Sequence, residues 1–228
     1  MSTQQQVLTS TTTTIMDKSN LPPAPPPPYA AMRFPRDFGF YRSSRSNAVI
    51  ALHKNDNSLF YISTHSGWSS QPSVVLHNGP SPSHAPLATA EFGSFSSSID
   101  IQVGNDVVRL NHTGIFTAAY SFAFPIGSTG KLETFEWRPS SGQQVQGLDG
   151  SSHGMKLVHV GSGTTVAAWT RPHSGPNKLG KMRFTANDRE SLGNMWEFMA
   201  VISIAAIMEK KRRRRNSNAG MAGGAASC

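Results

Sequence analysis

The densest cluster of charge in this 228-residue chain is a run of six basic residues: Lys210, Lys211, Arg212, Arg213, Arg214 and Arg215. This basic run contributes six positive charges to a net charge of +8, so the rest of the chain is nearly neutral. Three interpretations are open. The run can be a nuclear import signal or a nucleic-acid contact, it can bind anionic lipid at about 1 kcal/mol per basic residue, or it can cap the C-terminus of a helix, where the dipole favours cations.

A second motif for partner binding is the PPxY sequence formed by Pro26, Pro27, Pro28 and Tyr29. WW domains bind such segments because the polyproline II helix is already formed, so little entropy is lost on docking, and the tyrosine fills a second pocket. Residues 1–32 consist mostly of Gln, Ser, Thr and Pro, with too few large apolar side chains to fold. We therefore predict a disordered arm over residues 1–32 that presents the motif to a WW-domain protein.

Residues that could act in catalysis or bind a metal are present, but their spacing favours neither. The eight histidines include no His-x-x-x-His pair, and the single cysteine, Cys228, cannot complete a ligand set with them. Glu133 and Glu136 lie in the most motif-like stretch, but a spacing of three residues puts them on opposite faces of a strand. We find no constellation of nucleophile, base and orienting group, and expect a non-enzymatic protein without a metal or a cofactor.

The segment Arg33–Arg42 reads RFPRDFGFYR, in which cations alternate with aromatic rings. Single-stranded nucleic-acid binders interleave the two residue types in this way. The signatures of RNA-recognition domains and of basic DNA-binding helices are missing, however. We therefore expect a lead-in segment that packs its rings on the domain, and we do not expect nucleic acid as a partner.

Between about residues 33 and 211, short runs rich in β-branched and aromatic residues are separated by Gly, Asn, Ser and Pro clusters, a pattern typical of strands. Several runs alternate, so that Ile99, Ile101 and Val103 share one face of a strand. The sequence predicts about eleven strands: Asn47–His53, Ser58–Thr64, Ser73–His77, Pro86–Phe92, Ser98–Val103, Val107–Leu110, Phe116–Phe124, Lys131–Arg138, Met155–Val160, Thr164–Thr170 and Lys181–Thr185.

Residues Met195–Met208 read MWEFMAVISIAAIM and predict a helix, over about residues 190–211, that is apolar on every side. At about 1.5 Å per residue this stretch spans roughly 21 Å, well short of the roughly 30 Å hydrocarbon core of a bilayer. We therefore predict a closed β-barrel around the helix, which removes the free sheet edges and keeps water from the helix. Residues 212–228 are predicted to be a disordered tail. The side chains expected at the centre of the barrel are Trp196, Met199, Ile202 and Ile207.

Five segments carry a family resemblance: Trp68-Ser69, LHNGPSPSHAPLATAEF at 76–92, ETFEWRPSSG at 133–142, His153–Val158 and LGNMWEFMAVISIAAIMEKKRRRR at 192–215. In these segments the chain resembles a family of uncharacterised fungal proteins that is similar to the Tubby C-terminal-like superfamily, together with the LURP-one-related proteins and phospholipid scramblases. The resemblance spans roughly residues 47 to 212. It implies an antiparallel, mainly β barrel of about twelve strands threaded by a C-terminal hydrophobic helix.

The same resemblance bears on function. In Tubby proteins, basic residues on the barrel bind phosphoinositide head groups. Those positions do not match this sequence one by one, and Pro139 stands where we expect a histidine in the family motif. No binding residue is therefore carried over.

Motifs and predicted fold favour a barrel-shaped binding module for a phosphoinositide or another anionic membrane surface, with the PPxY arm for a WW-domain partner. One alternative is a nuclear regulatory protein that uses the basic run as its import signal, and another is a tail-anchored membrane protein that uses the apolar helix. The N-terminal residues lack the regions of a signal peptide, and one cysteine cannot form an internal disulfide. We expect a cytoplasmic or nuclear location with peripheral attachment to membranes, while the oligomeric state stays open.

A peptide covering Leu21–Met32 should bind WW domains, and Tyr29→Ala should remove most of that binding, because the proline helix and the tyrosine ring both contribute. Titration of both peptides against a panel of WW domains measures the difference. In the full chain the same substitution should leave the melting temperature unchanged, since the arm is expected to pack against nothing. Absence of measurable binding at high micromolar concentration would contradict this prediction.

Overall fold

The computed structural model describes residues 32–224 except 55, 68, 94–95, 115–117, 128, 149, 174 and 186–188, and for residues 220–224 it describes the backbone alone. The PPxY motif and most of the arm before residue 33 lie outside these residues. In the described part, twelve strands form a closed antiparallel barrel around one long helix, which confirms the predicted fold class.

The elements follow one another in a simple order along the chain. The helices are α1 (Gln143–Gln146), α2 (Arg189–Leu192) and α3 (Asn194–Gly224). The strands are β1 (Asp37–Arg42), β2 (Ala48–Ala51), β3 (Phe60–Thr64), β4 (Val74–His77), β5 (Pro86–Phe92), β6 (Ile99–Val103), β7 (Asp106–His112), β8 (Tyr120–Ile126), β9 (Lys131–Ser140), β10 (Gly154–His159), β11 (Thr165–Thr170) and β12 (Lys178–Phe184).

The barrel is closed by its first strand. Each strand pairs with its neighbours in sequence, and β1 also pairs with β12, so that Gly39 lies between Ala51 of β2 and Lys181 of β12. Closure leaves no strand of this sheet with a free row of backbone donors and acceptors. Because the strands run alternately up and down, every second connection lies at the same end of the barrel.

The eleven predicted strands overlap β2 to β12, and the strand that the sequence did not predict is β1. It lies in the lead-in segment, whose rings were expected to pack on the domain. They do so from within the sheet: Phe38 and Phe40 are fully buried in the barrel, whereas Arg42 at the end of the strand is exposed. The lead-in segment is therefore part of the barrel wall, and its alternation of rings and polar residues is that of a strand with one buried face.

The predicted central residues of α3, which are Trp196, Met199, Ile202 and Ile207, are all fully buried. The strands surround the apolar half of the helix on all sides, as its uniform apolarity requires. One interior hydroxyl, that of Ser203, accepts a hydrogen bond of 2.8 Å from Trp137 Nε1 and donates one of 2.9 Å to the carbonyl of Ala200. This polar side chain is therefore satisfied without water.

The axis of α3 does not coincide with that of the barrel. The helix packs most closely on β4, β5 and β6. Near the start of α3, the space on the opposite side is filled by a cluster of aromatic rings that includes Phe34, Phe38, Phe184 and Phe198. Near the point where α3 leaves the barrel, these rings do not fill the space beside the helix, and a cavity remains.

The helix differs from its prediction in length. It begins at Asn194, directly after Gly193, whose left-handed φ of 83° separates α3 from α2. It continues to Gly224. Residues 212–224, which were predicted to be disordered, continue the helix. Its first turn beyond the barrel is favoured by four successive arginines, which are good helix formers, and by the pairing of Glu209 with Arg212 and Arg213. The basic run therefore begins where α3 leaves the barrel, and it does not cap the helix. Among the described helices, none combines the length and the hydropathy needed to cross a bilayer.

Truncation of the central helix should be costly. Ile202→Ala should lower the free energy of unfolding by about 2–5 kcal/mol, because the fully buried side chain leaves a cavity that the barrel cannot close. Val107, whose residue surface is 73% exposed, is a control, and Val107→Ala should change the stability by less than about 0.5 kcal/mol. Denaturant unfolding of both variants measures the difference. Equal effects would show that α3 is not the core of the domain.

Candidate anion-binding site

The two ends of the barrel differ in chemistry. We call the end at which α3 begins the closed mouth, because Arg33, Arg189 and Glu197 seal it. We call the end at which α3 leaves the barrel the basic mouth; it carries the basic run and Arg171, the residue that follows β11. Glu197 and Glu209 mark the two mouths on the helix, and both side chains are buried.

Glu197 has no exposed surface and lies in the closed mouth. Its carboxylate accepts hydrogen bonds from Arg33 Nη2 at 2.9 Å, from Arg189 Nε at 2.7 Å and from the backbone N–H of Phe34 at 3.0 Å. Arg189 also lies over the ring of Phe184, 4.5 Å from its centroid. The charge is thus fully compensated, and the network ties the lead-in segment to α2 and α3. In the sequence Glu197 looked only like an interruption of the apolar stretch.

Glu209 plays the corresponding part at the basic mouth. Its carboxylate accepts hydrogen bonds from Arg212 Nε at 2.6 Å and from Arg213 Nε at 2.7 Å. Arg213 also donates to the carbonyl of His65 and lies 4.7 Å from the ring centroid of Phe92. These two cations of the basic run are therefore structural.

Lys210 is structural as well. Its ammonium group donates to three successive carbonyls of the connection between β5 and β6, at 3.3 Å from Ser96, 2.5 Å from Ser97 and 3.3 Å from Ser98. Burial lowers the pKa of this lysine. Lys210 and Arg213 thus fasten α3 to the rim of the barrel, while Arg212 pairs with Glu209 within the helix.

In the other half of the basic run, Arg214 and Arg215 are exposed, and Lys211 is half-buried, with its Nζ 3.7 Å from Met155 Sδ. Lys211, Arg214 and Arg215 line a cleft of about 280 Å³ together with Arg171 and Asn218, and we call it the cation cleft. Among the described residues, no carboxylate lines it. Burial, and then the charges of Arg171 and Arg215, lower the pKa of Lys211. Like charges held together in this way form a site that an anion would stabilise.

The connections at the basic mouth reinforce this potential. The alternating topology places residues 43–47, 65–73, 93–98, 113–119, 141–153 and 171–177 at this end. Their sequences contain a single acidic residue, Asp149, which lies outside the described residues, and two arginines, Arg45 and Arg171. These six segments thus contribute more basic than acidic side chains to this end of the barrel.

Beside the cation cleft, a cavity of about 220 Å³ opens between α3 and the strands from which it is displaced. Its walls include Phe40, Trp169 and Met208, and it shares Arg171 and Arg215 with the cleft. Among the described residues, the single carboxylate in its lining is Glu209, which is already paired. The mouth therefore combines an apolar recess with a cluster of cations.

Two serines resemble nucleophiles, and sequence reasoning passed over both. Ser63 Oγ lies 2.9 Å from His77 Nε2 and 3.1 Å from His65 Nε2, and His77 Nδ1 lies 2.9 Å from the carbonyl of His84, but Ser63 is only 4% exposed. Ser152 belongs to a Gly-x-Ser-x-Gly pattern at 150–154, but strand β10 follows it instead of the helix of a nucleophile elbow. Ser63 and His77 thus hold the connection between β4 and β5 in place, and Ser152 lies in the connection between β9 and β10.

The two glutamates of the motif-like stretch do not act together. Glu133 and Glu136 point to opposite sides of β9, where Glu133 meets His159 and Glu136 meets Arg138. In the part of the chain that is described, no group of three His, Cys, Asp or Glu side chains is placed to hold a metal ion.

Comparison with family models, with curated proteins and with solved structures finds no match to this chain. The fold that the Tubby-like resemblance implies is present, but one fold hosts many functions and can arise without common descent. The family assignment therefore stays a prediction. The feature of the structure that bears on function is the basic mouth.

Removal of the charge in the closed mouth should be strongly destabilising. Glu197→Gln keeps the shape of the side chain but leaves Arg33 and Arg189 without a counter-charge, so unfolding should become easier by about 3 kcal/mol. The control is Glu190→Gln, because the Glu190 side chain is 93% exposed and its ion pair with Arg33 should contribute less than about 1 kcal/mol. Denaturant titration of both variants tests the network, and a Glu197→Gln protein as stable as the control would refute it.

Proposed function

We propose that this protein is a non-enzymatic binding module that attaches to anionic membrane surfaces through its basic mouth. The observation that carries the proposal is the cation cleft, in which Arg171, Lys211, Arg214 and Arg215 lie together, with no carboxylate among the lining residues that the structure describes. A basic residue near an anionic bilayer contributes about 1 kcal/mol, so four such residues suffice for reversible, salt-sensitive attachment.

The type of cation favours phosphate as the bound group. Three of the four cations are arginines, whose planar guanidinium groups bind phosphate oxygens through two parallel hydrogen bonds. Phosphoinositide head groups carry several phosphates and would fit a cleft with several arginines. The Tubby-like resemblance points to the same class of ligand. We therefore propose a phosphoinositide or a comparably charged lipid as the membrane component that is bound.

The PPxY arm is proposed as a second, separate binding element. Pro26–Tyr29 precede the described residues, and the chain enters the barrel at the closed mouth through Arg33 and Phe34. The arm thus starts at the end of the barrel that is opposite to the cation cleft. A WW-domain protein bound to the arm would leave the basic mouth accessible to a membrane.

The two alternatives make different demands on α3. A tail anchor needs the apolar half of the helix in lipid, whereas Met199 and Ile202 are enclosed by strands. An import signal needs accessible cations, and Lys210, Arg212 and Arg213 are held by groups of the protein itself. Neither alternative has an observation of its own in its favour. The location of a tagged protein in cells, with and without the cations of the cation cleft, separates all three.

The membrane proposal is tested by flotation with vesicles of phosphatidylcholine, alone or with a few per cent of phosphoinositide. Arg214→Gln combined with Arg215→Gln should weaken binding to the anionic vesicles about 30-fold, because two contributions of about 1 kcal/mol are lost. The matched control combines Arg36→Gln with Lys54→Gln, which removes the same charge from two exposed residues at the closed mouth. This control should bind like the wild type.

Salt separates the membrane hypotheses further. Raising the ionic strength from about 0.1 M to 1 M shortens the Debye length from about 10 Å to 3 Å and should release the protein from the vesicles. Association that resists salt and carbonate would instead support the tail anchor. If the two double variants lose binding equally, the cation cleft is not the membrane contact and the proposal fails.

A further inference from the structure

The cavity beside the cation cleft is the most unusual feature of the barrel interior. Elsewhere the space around α3 is filled by aromatic and aliphatic side chains, in keeping with the close packing of protein cores. Here a volume of about 220 Å³ stays open next to Phe40, Ile62, Trp169, Ala205 and Met208. A recess with mostly apolar walls and a few charged groups at its rim has the character of a small-molecule site.

Trp169 forms one wall of the cavity. The residue is only 5% exposed, and its indole N–H has no hydrogen-bond partner among the described residues, as is also true of Trp196 in the packed core. Gly180 on the neighbouring strand makes room for the indole, because a Cβ there would collide with Nε1. The ring is thus held in place by the fold, and its donor stays unused.

The cavity and the cation cleft are two parts of one site. Arg171, at the end of β11, and Arg215, on α3, line both of them. A ligand with an anionic end between these two guanidinium groups can therefore place its other end in the cavity. The apolar walls and the cationic rim require both properties in the same molecule.

The volume limits the size of the apolar end. A cavity of about 150 Å³ accommodates benzene, so one of about 220 Å³ accommodates roughly eight carbon atoms. This corresponds to a short alkyl chain or to one end of a longer acyl chain. A complete diacyl lipid does not fit.

We propose that the basic mouth binds a single anionic amphiphile, with its phosphate between Arg171 and Arg215 and its alkyl chain in the cavity beside Trp169. This inference rests on the proposed function, in that both use the cation cleft. It goes further in assigning a recess for the apolar part of the ligand. Recognition then depends on the chain as well as on the charge, and it does not require a bilayer.

The test uses octyl phosphate below the concentration at which it forms micelles, with the full-length protein and isothermal titration calorimetry. Inorganic phosphate and octanol represent its two halves. Octyl phosphate should bind at least about tenfold more tightly than either half, because only the complete molecule gains from both the charge and the buried chain. Equal affinities for octyl phosphate and inorganic phosphate would overturn the proposal, and so would equal affinities for octyl phosphate and octanol.

Substitutions in the two parts of the site should act separately. Ala205→Met, which fills the cavity from α3, should weaken octyl phosphate binding about tenfold and leave inorganic phosphate binding unchanged. Ala48→Leu fills the same cavity from β2 and replaces the first variant if that one does not fold. Arg171→Gln should weaken the binding of both phosphates. An Ala205→Met or Ala48→Leu protein that folds and binds octyl phosphate like the wild type would refute the assignment of the cavity.

Trp169→Phe provides a spectroscopic readout. Octyl phosphate should change the indole fluorescence of the wild type and leave that of Trp169→Phe unchanged, because Trp169 alone among the described tryptophans lines the cavity. A ligand-induced change that persists in the variant would contradict the placement of the chain.

Vesicle flotation distinguishes this inference from the membrane proposal. If octyl phosphate binds but anionic vesicles do not, the ligand is a free amphiphile, and the membrane proposal fails while the cavity assignment stands. If the vesicles bind but octyl phosphate does not, the surface charge alone acts and the cavity assignment is refuted. Binding of both, with octyl phosphate displacing the vesicles, supports a membrane lipid whose chain end enters the cavity.

Discussion

The enclosure of α3 is the constraint on which the rest of the structure depends. Its apolar half has no polar side that could face water, so the strands have to surround it completely. A closed barrel meets this requirement and removes the free sheet edges at the same time. Every strand then needs an inward apolar face. The lead-in segment forms strand β1 of the barrel, and its Phe38 and Phe40 complete the core. The closure between β1 and β12 follows from the same need.

A helix inside a barrel also has to be fixed along its own axis, and two buried carboxylates serve that purpose. Glu197 and Glu209 are twelve residues apart, which corresponds to about 18 Å along the helix. Two arginines from different segments, Arg33 of the lead-in segment and Arg189 of α2, meet Glu197, and Arg213 links Glu209 to the barrel rim through the carbonyl of His65. Buried ion pairs add little net stability, but an unpaired partner is costly, so a shifted helix is disfavoured. The two networks therefore specify one register of α3.

The same register decides which cations are available for binding. The fixed exit point of α3 turns Lys210, Arg212 and Arg213 towards the rim and leaves Lys211, Arg214 and Arg215 beside Arg171. The displacement of α3 towards β4, β5 and β6 leaves the recess beside Trp169 on the other side. The helix is thus both the core of the domain and one wall of its candidate site, so substitutions that move it should change stability and binding together.

The sequence by itself determined the class of fold, because hydrophobic alternation and a uniformly apolar helix are local patterns that dictate what must be buried. It also located the basic run and the PPxY motif. It did not reveal β1, since alternating rings and cations in a short segment are compatible with a strand or with a loop. Neither could it divide the basic run into structural cations and those of the cation cleft, nor show that Arg171, forty residues before Lys211, joins them. Those assignments depend on the register of α3 in the barrel and on the pairing of distant strands, and only the tertiary structure decides which side chains come within a few ångströms of one another.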